Sequence, residues 1–167
     1  MPYGALAMSA PGLLVLRCAL AVVFTAHGAH RLFGLWSGAG IGPGGLDAAA
    51  AVSGAAGLEA GWVLALVGGL TLFAGGVLLA AGFLTRWAAF ALLVHTAVVA
   101  WHDQLVWGFF LDWTGQAGGH GVEYSIVLGG ALLCVLLLGP GDVSIDGRRV
   151  SSAEARAAAR ARIRNKF

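Results

Sequence analysis

Charge is what this sequence has least of. Only 11% of its 167 residues are Asp, Glu, Lys or Arg, where soluble domains run at about 25%. Ten basic against eight acidic residues leave a net charge of +2, too sparse a positive field for a nucleic-acid partner. Two cysteines exclude a disulfide-stapled secreted fold. With 59% hydrophobic residues, the chain also lacks the composition of a disordered one. What remains is an integral membrane protein, of a length that fits one domain.

A membrane-crossing helix requires about 20 mainly apolar residues to cover about 30 Å of hydrocarbon. Four segments approach this: Leu13 to about Leu32, Trp62 to about Phe83, Trp87 to about Val106, and Val122 to Leu138. The last is short and requires local thinning of the bilayer or outward-reaching flanking residues. No proline interrupts any of them, the alternation of a membrane barrel is missing, and none shows the polar face of a soluble bundle helix. The first does not read as a cleavable signal peptide, because no basic residue precedes it and Arg17 interrupts it.

Lys and Arg set the expected orientation. Arg148, Arg149, Arg156, Arg160, Arg162, Arg164 and Lys166 follow the fourth segment, and Arg86 lies between the second and third. The connections Phe33 to Gly61 and Trp107 to Gly121 contain neither residue. The positive-inside rule places both termini in the cytoplasm, in agreement with an even number of spans. The expected architecture is all-α: an integral membrane four-helix bundle over residues 1–147, with a basic cytoplasmic tail helix over 148–167.

The connections allow alternatives. Gly42-Pro43-Gly44-Gly45 is a turn signal. Asp47 with Ala48 to Val52 reads either as a short helix at the outer surface or as a flexible Gly/Ala spacer. Trp107, Phe109, Phe110 and Trp113 suit an interfacial belt or a lid over a site. In the tail, Ser151 and Glu154 have capping-box spacing, and Arg156, Arg160 and Arg164 recur every four residues. That stripe suits the anionic inner leaflet, an acidic partner, or a solvated tail that fixes topology.

Ionisable groups at membrane depth are functional candidates. Arg17, near the cytoplasmic end of the first span, either snorkels to headgroups or pairs with a buried carboxylate or ligand anion. At the other end of that span, His27 and Arg31 share a face with His30 beside them, and Gly28 admits a neighbouring helix or a planar ligand. Glu59 precedes span two, His102 and Asp103 close span three, and His120 and Glu123 open span four. All eight ionisable groups are expected in one layer at the outer boundary, where helix ends also carry polar residues for ordinary reasons. Histidine with carboxylate relays protons, grips a quinone carbonyl or binds metal, but the spacing matches no standard metal motif. His95, seven residues before His102, either lines an inward path or holds helices together. Cys18 and Cys134 lie on different spans without a Cys-x-x-Cys motif and read mainly as small packing residues.

The sequence resembles the DoxX family of bacterial four-span membrane proteins. The resemblance rests on Arg17, on His27-Gly28 with Arg31, on Glu59, and on Gly82-Phe83-Leu84-Thr85-Arg86 at the inner turn. It continues with Gly108-Phe109-Phe110, Glu123-Tyr124, and Gly139-Pro140-Gly141 with Val143-Ser144-Ile145-Asp146. It implies a four-helix bundle and a loose link to redox work: relatives include a subunit of thiosulfate:quinone oxidoreductase and a member that assembles with superoxide dismutase and a sulfurtransferase-like protein.

The expected function is that of a multi-pass inner-membrane protein, a quinone-linked oxidoreductase or the membrane subunit of a redox complex. His27, Glu59 and Glu123 are the candidate catalytic groups. Arg17, His30, Arg31, His95, His102, Asp103 and His120 are the candidate groups that bind a quinone headgroup or an anionic reductant such as thiosulfate, with Arg31 supplying positive charge. Quinone is the cofactor considered. The bilayer is the expected partner, with soluble redox enzymes on the basic tail and a homo-oligomer as further candidates. The alternatives are a scaffold for soluble redox enzymes and a small transporter subunit.

Overall fold

The computed structural model describes residues 10–38, 42–55, 57, 60–115, 119–149 and 152. Five α-helices account for most of them: α1 (Ala10–Phe33), α2 (Leu46–Ala55), α3 (Gly61–Ala81), α4 (Thr85–Val99) and α5 (Glu123–Leu138). No strand occurs among the described residues. α4 continues through a π-helical stretch, Ala100–Gln104, into a 3-10 turn, Leu105–Trp107. Three helices are long and apolar enough to cross a membrane: Pro11–Phe33, Gly61–Ala81 and Thr85–Trp107. α5, with 16 residues, is shorter, as its sequence led us to expect. Helices suit this composition because each satisfies its own backbone in hydrocarbon.

Consecutive long helices pack side by side, α1 on α3, α3 on α4 and α4 on α5, and α5 returns to α1. Their shared core includes Leu20, Phe24, Leu72, Leu79, Leu92, Leu132 and Val135. Glycines set the α1–α3 approach. A Cβ on Gly69 would lie 2.6 Å from Leu32 Cδ2, one on Gly76 would lie 2.7 Å from the Thr25 amide nitrogen, and one on Gly28 would overlap the Phe73 backbone. Small residues bring membrane helices this close, so the neighbour Gly28 admits is α3. The outward face of α4 stays apolar, with Trp87, Phe90 and Val94 exposed, and Trp101 beyond its end is exposed too.

The first connection forms a helix rather than a spacer. Asp47 sits in the first turn of α2, where a carboxylate favours the positive end of the helix dipole, and α2 packs mainly on α3. At the far end of the molecule, Gly82 takes the left-handed conformation that closes α3, its φ being 65°. Asp146 then accepts hydrogen bonds from the Thr85 amide at 3.0 Å and its hydroxyl at 3.1 Å. It thereby caps α4 from a distant part of the chain, since Leu84 at the N-cap makes no side-chain cap. Burial alone would raise the Asp146 pKa, but the bonds from Thr85 and Leu84 and the nearby Arg149 charge hold it below the usual carboxylate value. Residues 145–149 are helical, so the tail helix begins before the expected Ser151 start. Ser151, Glu154, Arg156, Arg160 and Arg164 lie outside the described residues.

Candidate functional site

A cavity of about 550 Å³ opens where α1 ends, α2 crosses, and α3 begins. α1 contributes His27, His30 and Arg31; α4 and its π-helical extension contribute His95, Val98, Val99, His102 and Asp103. α3 supplies Leu64, Val67, Gly68, Thr71 and Leu72, and α2 supplies Ala48, Ala49, Val52 and Ser53. The volume is that of an ordinary small-ligand site, mostly apolar with a few convergent polar groups.

The imidazole nitrogens are assigned by their partners. His27 Nδ1 lies 2.9 Å from the Val23 carbonyl oxygen, and His30 Nδ1 lies 2.8 Å from that of Leu35. A carbonyl only accepts, so in each neutral ring Nδ1 carries the proton and Nε2 keeps its lone pair. His30 is further fixed by its own backbone oxygen, which accepts from the amides of Gly34 at 3.0 Å and Gly45 at 2.9 Å. His102 Nδ1 meets Asp103 Oδ1 at 2.7 Å at the rim. Three rings thus have Nδ1 engaged. The π-helical stretch that carries His102 and Asp103 is a device often found at functional sites.

Arg31 and His95 meet across Gly68. A Cβ there would lie 3.2 Å from His95 Cε1 and 3.6 Å from Arg31 Cζ, so Gly68 is what makes room for both. Asp103 interacts electrostatically with each of them, but its closest ion pair is with His102. Arg31 Nε is buried with no hydrogen-bond partner among the described residues.

The expected outer layer therefore divides. His27, His30, Arg31, His95, His102 and Asp103 line one cavity. Glu123 and His120 are not among its lining residues. Glu123 instead accepts the Leu111 amide at 2.9 Å, while the amides of Gly121, Val122 and Glu123 bond to the carbonyls of Phe110, Gly108 and Phe109. Glu123 thus secures the aromatic connection at the start of α5. Glu59 lies outside the described residues. Arg17 is buried at the opposite end, donating from Nε to Leu79 O at 3.0 Å, from Nη2 to Ala80 O at 3.2 Å, and from Nη1 to the carbonyls of Pro140 and Val143. Cys18 and Cys134 are free and exposed.

Sequence reasoning did not single out Gly68 or the α2 wall. The Gly68-Gly69 pair, one of two Gly-Gly pairs in the second span, was the available signal for the first. For the second, it was Asp47 ahead of an alanine run. Among the described residues, no group of three or more His, Cys, Asp or Glu is arranged to hold a metal.

Fold and site together define a helical membrane protein with a polar-rimmed cavity at one end of its helices. A family profile, DoxX, matches residues 12–104, more than half of the chain. The chain belongs to the DoxX family. The match takes in every residue of the cavity and ends before α5, so Glu123-Tyr124 and Gly139-Pro140-Gly141 lie beyond it. No curated protein and no solved structure matches the chain.

Proposed function

We propose that this protein spans the bacterial inner membrane four times with both termini in the cytoplasm, and that its cavity receives the headgroup of a quinone. It would then work as a quinone-linked oxidoreductase or as the membrane subunit of a redox complex. The supporting observation is the composition of the cavity. A membrane quinone has a polar ring on a long apolar tail. Leu64, Val67, Leu72, Val98 and Val99 offer the apolar wall, and Arg31 with the imidazoles of His27 and His30 offers the polar groups. Arg31 lines the cavity, and its guanidinium, whose Nε meets no acceptor among the described residues, suits a ring oxygen. The bound quinone supplies the redox chemistry. Arg31 holds an oxygen, the His27 and His30 Nε2 atoms accept or return protons, and α2 limits the access of water.

Arg17, Arg86, Arg148 and Arg149 gather at the end opposite the cavity, which supports a cytoplasmic assignment for that end. At 1.5 Å per residue, α5 is about 24 Å long, so the fourth span relies on thinning of the bilayer around it.

The test is solvent extraction of the detergent-purified protein, with quinone quantified by chromatography. We expect quinone approaching one per protein, and its loss in Gly68→Leu, whose side chain would occupy the space between Arg31 and His95. Protein that purifies folded but free of quinone, and takes none up from quinone-loaded liposomes, would overturn the reading.

A further inference from the structure

Among the described residues, Arg31 is the only Lys or Arg lining the cavity, and none of them forms an ion pair with it. Among the described residues no carboxylate lies within 4 Å of the guanidinium, and Asp103 acts on it from farther away. The guanidinium Nε is buried without an acceptor among the described residues, and a Cβ on Gly68 would meet both the guanidinium and the His95 ring. A neutral carbonyl there would accept the hydrogen bond but bring no charge, leaving Asp103, beyond ion-pair distance, as the counter-charge. An ionised oxygen would satisfy both, and charge-assisted bonds of this kind are shorter and about twice as strong as neutral ones.

We propose that Arg31 makes the cavity selective for a headgroup that presents an ionised oxygen: an acidic hydroxyquinone rather than a neutral quinone. The inference rests on the reading of this cavity as a quinone site and adds the charge of its ligand. Arg31 holds the ionised ring oxygen, and the adjacent apolar wall of Val67 and Leu72 takes the ring and tail. The imidazole Nε2 atoms of His27 and His30 accept from any protonated group on the ligand. Gly68 sets the specificity by keeping the approach to the guanidinium open.

The experiment uses the full-length protein in detergent and two probes, hydroxynaphthoquinone, which is ionised at neutral pH, and its O-methyl ether, which has the same ring without the charge. Binding is measured by equilibrium dialysis. The wild type should bind the ionised probe at least about tenfold more tightly, a difference of about 1.4 kcal/mol. Arg31→Gln should lose that preference by losing the ionised probe while still binding the ether, and Arg31→Lys should keep part of it. Equal affinity for both probes in the wild type, or a preference that survives Arg31→Gln, overturns the charge selectivity and leaves the quinone reading standing. If neither probe binds, both fall. Should Arg31→Gln fail to fold, the two probes on the wild type and on Arg31→Lys decide.

Discussion

Replacing Arg17 by Met asks whether a buried arginine in a membrane helix serves a ligand or the fold. Arg17 is 1% exposed and donates to four backbone carbonyls, those of Leu79, Ala80, Pro140 and Val143. Leu79 and Ala80 belong to the last turn of α3, where Leu79 O also accepts the Gly82 amide at 3.2 Å and where a cation is favoured by the helix dipole. The side chain therefore ties α1 to the end of α3 and to the turn after α5. A methionine fills similar volume but leaves all four acceptors without that donor. Hydrogen bonds to charged groups contribute about 1.5–3 kcal/mol each, but they share one side chain and do not add. A buried acceptor left unsatisfied costs about 1–3 kcal/mol, and the four that share this donor are expected to cost about 3–5 kcal/mol together. Domains of comparable size lose about 2–4 °C of Tm per kcal/mol, which puts the drop at roughly 6–20 °C. Thermal unfolding in detergent, followed by tryptophan fluorescence, measures it. Quinone content per folded protein should be unchanged, because the cavity lies at the other end of α1. A variant as stable as the wild type that has lost its quinone would refute this reasoning and return Arg17 to the binding groups.

Three further outcomes follow from the same geometry. Gly28→Leu should separate α1 from α3, because its Cβ alone meets the Phe73 backbone; overpacking of this kind costs about 1–3 kcal/mol or more, readable as a lower Tm, and an unchanged Tm would mean that the helices do not pack there. Asp146 has a lowered pKa, so its cap on α4 contributes fully above the ordinary carboxylate pKa of about 3.9 and is lost as pH falls through the lowered value. The Tm gap between wild type and Asp146→Ala should be constant from pH 7 to about pH 5 and close under stronger acid; a gap that persists there would assign the effect to another group. Glu123→Ala should speed amide exchange in residues 108–113, which its bond to Leu111 secures, without changing quinone content.

The all-helical fold was legible because long apolar runs at low charge have few other solutions. Positions along single helices were legible too: His27 and Arg31 share a face by spacing alone, and both line the cavity. What spacing could not supply was the pairing of helix ends. His120 and Glu123 lie at the mouth of α5 as His102 and Asp103 lie at the end of α4, and nothing in a one-dimensional pattern says which of them the cavity includes. The structure divides them by local hydrogen bonding, since Glu123 is held by the Leu111 amide on the way into α5. The role of Arg17 was hidden for a similar reason. Its acceptors are backbone carbonyls 62 to 126 residues away, and a carbonyl has no signature in sequence.

Two arginines on one helix show what decides the role of a buried cation. Arg17 and Arg31 are fourteen residues apart on α1, about 21 Å along its axis, and both are flanked by glycine-bearing turns of α3. Around Arg17 the chain supplies acceptors: the open end of α3, and the carbonyls of a turn that Gly139 and Gly141 allow with φ values of 85° and 73°. Around Arg31 it supplies a bare Gly68, an imidazole edge and apolar walls, and the carboxylate within electrostatic reach lies beyond ion-pair distance. One end of the helix is therefore complete without a ligand, while the other leaves a donor unmet. If that difference is what makes Arg31 a binding group, a new acceptor should cancel it. Gly68→Asp would place a carboxylate against the guanidinium, and we expect it to abolish the preference for the ionised probe while raising the Tm relative to Gly68→Asn. Equal Tm values for the two variants, with the probe preference intact, would mean that Arg31 is already satisfied and that the cavity selects its ligand by another group.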